Sequence, residues 1–226
     1  MTIEDAIHRI GDVGIIPVIR ASSGKEAQSA VEIICEAGIN VIEVTMTVPD
    51  APEVIRHVVR HHSKQVLVGA GTVVTTEQAG RCLDAGAEFL VSPGLAPDVL
   101  HLAAASHKLA IPGAFSPTEY MNARAAGARL VKIFPCGSVG GPKYVKSLRA
   151  PFPDAALIPT GGVNVSNAAE YILAGAFALG VGADLVDLSA LMKGESQKIL
   201  ETAKALVKEV RRARDAGTVT KHAARQ

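Results

Sequence analysis

One lysine of this chain lies in an apolar segment, where an ammonium group is costly to bury. Lys132 belongs to residues 129–135, RLVKIFP. Strand alternation puts Lys132 on the same face as Leu130 and places Val131 and Ile133 on the other face. Desolvation lowers the pKa of a buried amine, and a neutral amine can attack a ketone to form a Schiff base. The segment therefore predicts a nucleophilic lysine; a lysine extending from a strand end into solvent is the alternative.

Glu43 is a second ionisable residue in an apolar strand pattern. It lies in residues 41–45, VIEVT, with Ile42 and Val44 on the opposite face. A buried carboxylate is costly unless a cation pairs with it, and an inward-facing Lys132 would be that cation. Partial desolvation also moves the pKa of a carboxyl group toward neutrality, which suits proton transfer. We predict that Glu43 is a general acid/base beside Lys132, with a purely structural ion pair as the alternative.

Glycine-rich segments follow the last two apolar runs of the chain. Thr160, Gly161 and Gly162 follow the seventh run, and the GVG tripeptide that ends at Gly182 closes the eighth. Glycine lets the backbone approach an anion closely, and backbone N–H groups in such loops bind phosphate. Each glycine pair alone is also a common turn, but the two together predict a phosphate site.

Other polar and apolar residues at predicted strand ends complete the expected site. Arg20 ends the first apolar run, and its guanidinium can bind a carboxylate or phosphate with two hydrogen bonds. Thr47 and Thr72 are expected to donate hydroxyl hydrogens to the same anion. Pro93 and Phe134 are expected to form an apolar wall. A solvated arginine, and turn or packing roles for the other four residues, are the alternatives.

The histidines and cysteines do not indicate a metal or redox site. His57 and His61 have the i, i+4 spacing of a metal-binding pair, but their helix is expected on the outer surface without a third ligand. Cys35, Cys82 and Cys136 are an odd number and lack CxxC spacing. We therefore expect no metal, no cofactor and no disulfide framework.

Composition argues against several classes of partner. The chain has 226 residues, with 23 Lys and Arg against 22 Asp and Glu. This near-neutral charge does not favour nucleic acid or an anionic membrane surface as the partner. No apolar run reaches the roughly 18 residues of a membrane helix, and the first residues, MTIEDAIHRIGDV, lack the regions of a signal peptide. We expect a cytoplasmic protein that binds a small molecule.

The runs that carry these residues alternate with helical patterns along the whole chain. Short apolar runs predict strands at 14–20, 41–45, 66–70, 88–91, 110–112, 130–133, 157–159 and 178–182. Helical patterns follow at 24–37, 51–62, 76–85, 96–107, 117–126, 142–149, 166–174 and 195–214. Near-continuous apolar runs are typical of parallel strands that are buried on both faces.

Eight such strand–helix units predict a (β/α)8 TIM barrel, in which the active site lies at the carboxyl ends of the strands. A doubly wound open sheet is the alternative, but no GxGxxG segment follows the first run. Residues 2–11 predict a short extra helix before the first strand. We expect one barrel domain over residues 1–215 and a disordered tail over residues 216–226.

Seven segments occur in order between about residue 14 and residue 185: IPVIRA, IEVTMTVP, VGAGTV, EFLVSPG, VKIFP, PTGGV and GVGADLV. Together they resemble the class I aldolases that act on 2-keto-3-deoxy-6-phosphogluconate (KDPG) and 4-hydroxy-2-oxoglutarate (KHG). The resemblance implies that Lys132 is the Schiff-base lysine and Glu43 the general acid/base. It implies a homotrimer that needs no metal. It also implies a substrate site lined by Thr72, Pro93, Phe134, Thr160, Gly161 and Gly162.

Two positions depart from the pattern of this family. Some members have an arginine where this chain has Thr47, and that arginine binds the pyruvate carboxylate; Arg20 is expected to take this role, as in members with the IRA pattern. Some members place a serine hydroxyl on the phosphate where this chain has Ala183. Asp184 follows, and a carboxylate facing a phosphate would repel it. If Asp184 points outward, Gly182 and Ala183 are expected to contact the anion through the backbone. If Asp184 points inward, a non-phosphorylated substrate is expected instead.

The resemblance implies cleavage of a 2-keto-3-deoxy sugar acid, with KDPG giving pyruvate and glyceraldehyde 3-phosphate. Cleavage of 4-hydroxy-2-oxoglutarate to pyruvate and glyoxylate is a further expected reaction. Two alternatives stay open: an epimerase or isomerase in which Lys132 and Glu43 exchange protons without a covalent adduct, and a non-catalytic barrel that acts as a binding module. The sequence leaves open the aldehyde partner, the stereochemistry at C4 and whether the substrate is phosphorylated.

Overall fold

The computed structural model describes the backbone of residues 1–62 and 65–223, and the side chains of residues 1–62 and 65–216. Within this range strands and helices alternate along the chain. The strands are β1 (Ile15–Ile19), β2 (Val41–Thr45), β3 (Leu67–Gly71), β4 (Phe89–Val91), β5 (Leu109–Ile111), β6 (Gly113–Ala114), β7 (Val131–Ile133), β8 (Leu157–Pro159) and β9 (Leu179–Val181). The helices are α1 (Ile3–Val13), α2 (Gly24–Glu36), α3 (Ala51–His62), α4 (Thr76–Asp84), α5 (Pro97–Ala105), α6 (Pro117–Ala125), α7 (Pro142–Arg149), α8 (Ala168–Leu173), α9 (Leu188–Met192) and α10 (Ser196–Ala223).

The strands form a curled parallel sheet in two hydrogen-bonded sections. The larger section has the strand order β5–β4–β3–β2–β1–β9, and the smaller one has the order β6–β7–β8. Because the pairs are parallel, the carboxyl ends of the strands lie at one rim of the sheet. Two contacts join β8 to β9: Thr160 forms a β-bridge with Gly180, and the N–H of Phe177 donates to the carbonyl oxygen of Leu157 at 2.8 Å.

Pro112, the last residue of the fifth predicted strand, separates β5 from a second short strand, β6, that the sequence did not predict. β5 pairs with β4, whereas β6 pairs with β7. Proline has no N–H group to donate to a strand ladder, and its carbonyl oxygen accepts from the N–H of Lys132 at 2.9 Å. The change of strand partner therefore falls at this proline.

Buried apolar side chains form a cluster on each face of the sheet. The outer cluster lies between the sheet and the helices and includes Val131 and Ile133. The inner cluster fills the inside of the curl and consists of Ala6, Ile10, Ile16, Val41, Leu67, Phe89, Val91, Leu109, Ile111, Leu130, Ile158 and Ala178. Leu130 is on the inner face, whereas Val131 and Ile133, the residues on either side of Lys132, are on the outer face. The predicted strand parity around Lys132 is therefore confirmed.

Helix α1 covers the end of the sheet opposite the rim. The Thr2 hydroxyl accepts from the N–H of Asp5, and the Asp5 carboxylate accepts from the N–H of Thr2, which is a capping box. Ala6 and Ile10 of this helix join the inner cluster. The short N-terminal helix predicted from the sequence is therefore present. Of the helices described, none has the length and apolar character needed to cross a membrane.

Most predicted elements agree with the observed ones to within one or two residues. β6 and α9 were not predicted as separate elements; α9 has five residues, too few for a repeat of apolar positions. The backbone of α10 is helical to Ala223 and so enters the segment 216–226 that was predicted to be a disordered tail. Residues 224–226 lie outside the described residues, and the prediction for the tail stays a prediction.

Candidate active site

Two oppositely charged side chains meet inside the curl of the sheet. Lys132 lies in β7 and Glu43 in β2, and the residues are 5% and 2% exposed. The Nζ atom of Lys132 is 3.9 Å from Oε1 of Glu43. Since β7 and β2 are not hydrogen-bonded neighbours, the two side chains approach each other across the interior. A carboxylate and an amine thus share one buried space above the inner cluster, as the sequence predicts.

The Glu43 carboxyl group is in an unusual electrostatic position. Burial raises its pKa above the ordinary carboxyl value, and the charges of Lys132 and Arg20 oppose this shift only in part. Oε1 has no hydrogen-bond partner among the described residues. A buried carboxyl oxygen without a donor is costly to retain in a protein. The arrangement suits a group that exchanges protons with a bound molecule.

Gly71 makes room for this carboxyl group. It lies at the carboxyl end of β3, the strand that pairs directly with β2. A β-carbon built at this position would overlap with Oε1, Cδ and Cγ of Glu43. Only glycine therefore leaves the space in which the carboxyl group lies. Sequence reasoning missed Gly71, because the collision depends on the register between β2 and β3.

The environment of Lys132 includes one aromatic ring. The Nζ atom lies 5.3 Å from the centre of the Phe134 ring, which is within the range of a cation–π interaction. Phe134 is half-buried and directly follows β7. The structure thus brings together three of the predicted residues, Lys132, Glu43 and Phe134.

Arg20 and Thr47 meet at the rim beside β1 and β2. Nη1 of Arg20 donates to Oγ1 of Thr47 at 3.3 Å. The Thr47 hydroxyl is 2.6 Å from the Thr45 hydroxyl, and Thr45 donates to the carbonyl oxygen of Ile19 at 2.9 Å. Thr45 is fully buried, whereas Arg20 and Thr47 are exposed. Thr45 was not among the predicted site residues, although it shares the strand face of Glu43.

The glycine-rich loop after β8 is held in a fixed conformation. Gly161 and Gly162 have φ values of 87° and 78°, in the left-handed region that glycine adopts readily. The carbonyl oxygen of Gly161 accepts from the N–H of Gly137 at 2.8 Å, and that of Gly162 accepts from the Asn167 side chain at 2.8 Å. Thr160 is 5% exposed. The loop therefore presents its backbone in a defined geometry at the rim.

The segment after β9 forms a turn. The carbonyl oxygen of Gly182 accepts from the N–H groups of Leu185 and Val186, each at 2.9 Å. Ala183 and Asp184 are exposed within this turn. The Asp184 carboxylate is thus solvated rather than buried in the rim, which reduces its repulsion of a nearby anion.

Thr72 and Pro93 lie at the ends of β3 and β4. Thr72 has a φ of 60°, which is a strained conformation for a β-branched residue, and such strain is typical of functional sites. Pro93 is exposed beside Ser92, whose hydroxyl donates to the carbonyl oxygen of Gly94 at 2.6 Å. Among the described residues, Thr72, Pro93 and the β9 turn make no hydrogen bond to the Lys132–Glu43 pair. They therefore lie at the same rim of the sheet as the pair without a hydrogen bond to it.

No metal-binding cluster of three or more His, Cys, Asp or Glu side chains exists in the described part of the chain. The rings of His57 and His61 stack with centroids 3.8 Å apart on α3, and His62 pairs with Glu32 at 3.0 Å.

Comparisons with known proteins identify the relatives of this chain. The family model described as "Aldolase: KDPG and KHG aldolase" matches residues 6–202. A probable 2-dehydro-3-deoxy-6-phosphogalactonate aldolase of Rhizobium meliloti is 38% identical over 172 residues, which are 76% of this chain and 81% of the relative. A 2-dehydro-3-deoxy-phosphogluconate aldolase of Treponema pallidum is 37% identical over 172 residues, 76% of this chain and 80% of the relative.

One solved structure is informative about the chemistry. The KDPG aldolase from Legionella pneumophila, "with pyruvate captured at low pH as a covalent carbinolamine intermediate", is 31% identical. Its TM-score with this chain is 0.82, with 88% of this chain and 97% of that chain covered.

Proposed function

The chain belongs to the KDPG and KHG aldolase family, and we propose that it is a class I aldolase that cleaves KDPG to pyruvate and glyceraldehyde 3-phosphate. It is a lyase that makes and breaks a carbon–carbon bond. One observation carries the mechanism: a buried amine, Lys132, lies 3.9 Å from the buried carboxyl group of Glu43. The covalent pyruvate carbinolamine captured in the Legionella relative supports this assignment.

Lys132 is the proposed nucleophile. Attack requires a neutral amine, so Lys132 has to give up a proton first. Burial raises the pKa of Glu43 above the ordinary carboxyl value, which makes this nearby carboxylate a better acceptor of that proton. Nζ bonds to the C2 ketone carbon of the substrate, and one of the two amine hydrogens passes from the nitrogen to the former ketone oxygen to give a carbinolamine. Glu43 donates a proton to that hydroxyl, which leaves as water. The resulting iminium is a cation at the carbon next to the bond that breaks.

Glu43, now ionised, takes the proton of the C4 hydroxyl. The C3–C4 bond breaks, the aldehyde departs, and the electron pair moves through C3 to the iminium nitrogen, which gives an enamine. Glu43 returns the proton to C3. Water then hydrolyses the iminium, which releases pyruvate and the free amine, and the proton set free in this step returns to Glu43. Among the described residues no hydrogen-bond donor contacts Oε1, which leaves this oxygen available for each transfer. A placed acid/base contributes about 10²–10⁴-fold to such a rate.

The other predicted residues receive proposed roles along the substrate. Arg20 binds the carboxylate of the pyruvate half, because its guanidinium is at the rim and its charge acts on Glu43. At this end Thr47 acts through its hydrogen bond to Arg20 instead of donating to the anion as expected from the sequence. Thr72 contributes a hydroxyl group, and Pro93 and Phe134 form the apolar wall. The loops after β8 and β9 bind the phosphate at the far end, chiefly through backbone N–H groups; they contain Thr160, Gly161, Gly162, Gly182 and Ala183.

The relatives carry names for two substrates that differ in configuration, a 6-phosphogluconate derivative and a 6-phosphogalactonate derivative. We propose KDPG as the main substrate and 4-hydroxy-2-oxoglutarate as a minor one. The test is pyruvate release from a panel of four acids: KDPG, its galactonate epimer, the unphosphorylated gluconate analogue and 4-hydroxy-2-oxoglutarate. KDPG should give the largest kcat/KM. A larger kcat/KM for the galactonate epimer would make that acid the main substrate. Release of no pyruvate from any of the four acids would overturn the proposed aldolase function.

We also propose that residues 1–215 form one domain in which the sheet closes into a complete eight-stranded barrel. The contacts between β8 and β9, and the partner change at Pro112, support closure because they connect the two sections on both sides. A cytoplasmic homotrimer is proposed from the resemblance to the family. Light scattering during size-exclusion chromatography measures the mass, and a value other than three times the chain mass of 23.4 kDa would contradict the trimer.

A further inference from the structure

Three hydroxyl-bearing or cationic side chains at the ends of β1 and β2 form a continuous hydrogen-bonded chain. It connects Arg20 through Thr47 and Thr45 to the backbone carbonyl oxygen of Ile19. The N–H of Val48 donates to the carbonyl oxygen of Thr45 at 3.0 Å, and this tight turn returns Thr47 over Thr45. The chain thus begins at an exposed guanidinium and ends in the buried sheet.

Counting hydrogens fixes the direction of every bond in this chain. A hydroxyl group has one hydrogen to donate. Thr45 gives its hydrogen to the Ile19 carbonyl oxygen, which can only accept. The 2.6 Å contact between the hydroxyls must then be donated by Thr47. Thr47 has no second hydrogen, so its oxygen accepts from Arg20. The order of donation therefore runs from Arg20 to Thr47, then to Thr45, then to the sheet.

We infer that Thr45 and Thr47 are positioning residues, which hold the Arg20 guanidinium at the rim in the orientation that binds the substrate carboxylate. In this arrangement Thr47 acts through Arg20, because its hydroxyl hydrogen is committed to Thr45. One N–H group of Arg20 donates to Thr47. The remaining N–H groups of the planar guanidinium can donate to the carboxylate of a bound substrate. The inference rests on the proposed aldolase function and adds the means by which the arginine is oriented.

The buried end of this hydrogen-bonded chain, at Thr45 and Ile19, explains why it can orient the flexible side chain of Arg20. An exposed arginine loses considerable side-chain entropy when it is fixed in one geometry. Thr45 is fully buried in β2, and Ile19 is paired in register with Val44 of the same strand pair. The anchor of the chain therefore moves only with the sheet. Without it, the guanidinium would sample several orientations and bind a carboxylate less well.

Thr45→Val tests the inference, because valine has nearly the same shape but no hydroxyl. The variant should raise the KM for KDPG by about tenfold with little change in kcat, the size expected when a hydrogen bond between neutral groups is lost. Thr45→Ser keeps the hydroxyl and should restore most of this loss. Thr47→Val, at an exposed position that tolerates substitution, should act in the same direction and serves as the test if Thr45→Val does not fold.

The same substitutions in an Arg20→Ala background separate positioning from a structural role. If the threonines act through Arg20, Thr45→Val or Thr47→Val adds little once Arg20 is gone, which is the non-additivity expected of coupled residues. An equal KM effect in both backgrounds, or an effect on kcat alone, would overturn the inference. Failure of the aldolase assignment itself looks different: the unmodified protein would then release no pyruvate from any acid of the panel.

Discussion

The space beside Oε1 of Glu43 is open only because residue 71 is glycine: a β-carbon there would overlap with the carboxyl group. The carboxyl group and Gly71 belong to neighbouring strands paired in register, Glu43 opposite Gly69 and Thr45 opposite Gly71. The position of the acid/base is thus set by the strand next to it. Small displacements of a reacting group have large effects on rate.

Gly71→Ala should therefore lower kcat for KDPG cleavage by about 100-fold, the effect of a misplacement of about 1 Å. Steady-state pyruvate release measures the change, and circular dichroism shows whether the fold is kept. Gly80→Ala is the matched control, because a β-carbon at Gly80 meets nothing within 4 Å in α4. A folded Gly71→Ala protein with unchanged kcat would show that Glu43 does not need this position.

The pH dependence of kcat/KM should reveal the protonation of Glu43. The proposed active form has one proton shared by Lys132 and Glu43. As pH falls through the pKa of Glu43, the carboxylate becomes protonated and can no longer accept the proton of the amine. Burial raises this pKa above 4.5, so the acid limb of the profile should lie above pH 4.5.

Glu43→Gln removes the titrating group while it keeps the shape of the side chain. The acid limb should disappear and kcat/KM should fall by about 10²–10⁴-fold. An acid limb that persists unchanged in Glu43→Gln would assign the titration to another group.

The exposed Asp184 is predicted to weaken binding of a phosphorylated substrate. Asp184→Asn removes one negative charge from the turn after β9 and should raise kcat/KM for KDPG a few-fold, with a smaller gain at high salt because solvated charges are screened. The unphosphorylated analogue should be unaffected. Asp154→Asn is the control, because Asp154 is an exposed carboxylate that precedes β8 and so lies at the end of the sheet away from the rim. Equal gains with both substrates would indicate that Asp184 does not face the phosphate.

The inner cluster should dominate stability. Phe89 is fully buried in β4, and Phe89→Ala should lower the free energy of unfolding by about 3–5 kcal/mol because a large cavity remains. Urea denaturation measures this loss. Met192→Ala, at a residue 71% exposed, should change the free energy of unfolding by less than about 0.5 kcal/mol. Similar losses for both variants would contradict the assignment of Phe89 to the core.

Local sequence patterns were sufficient for the strands other than β6 and for the central pair of the site. The parity of β7 and β2 depends only on alternation along each strand, and it correctly places Lys132 and Glu43 inside the curl. The strand break at Pro112 could also have been expected, since proline lacks an N–H group.

The remaining features of the site depend on register between strands that are distant in sequence. Gly71 matters because of the side chain of Glu43, and Thr45 matters because of the backbone of Ile19. No local pattern distinguishes Gly71 from a glycine in a turn, or Thr45 from a β-branched strand residue. A short element such as α9 likewise has no apolar repeat to mark it.

The central claim is that Lys132 forms a Schiff base with the 2-keto acid. Borohydride reduction in the presence of pyruvate, followed by intact mass and peptide mass spectrometry, tests it most directly. One reduced pyruvate per chain is expected, on the peptide that contains Lys132. The adduct should be absent in Lys132→Ala and retained in Lys146→Ala, which changes an exposed lysine of α7. A folded protein without an adduct, or with the adduct on another lysine, would contradict the covalent mechanism.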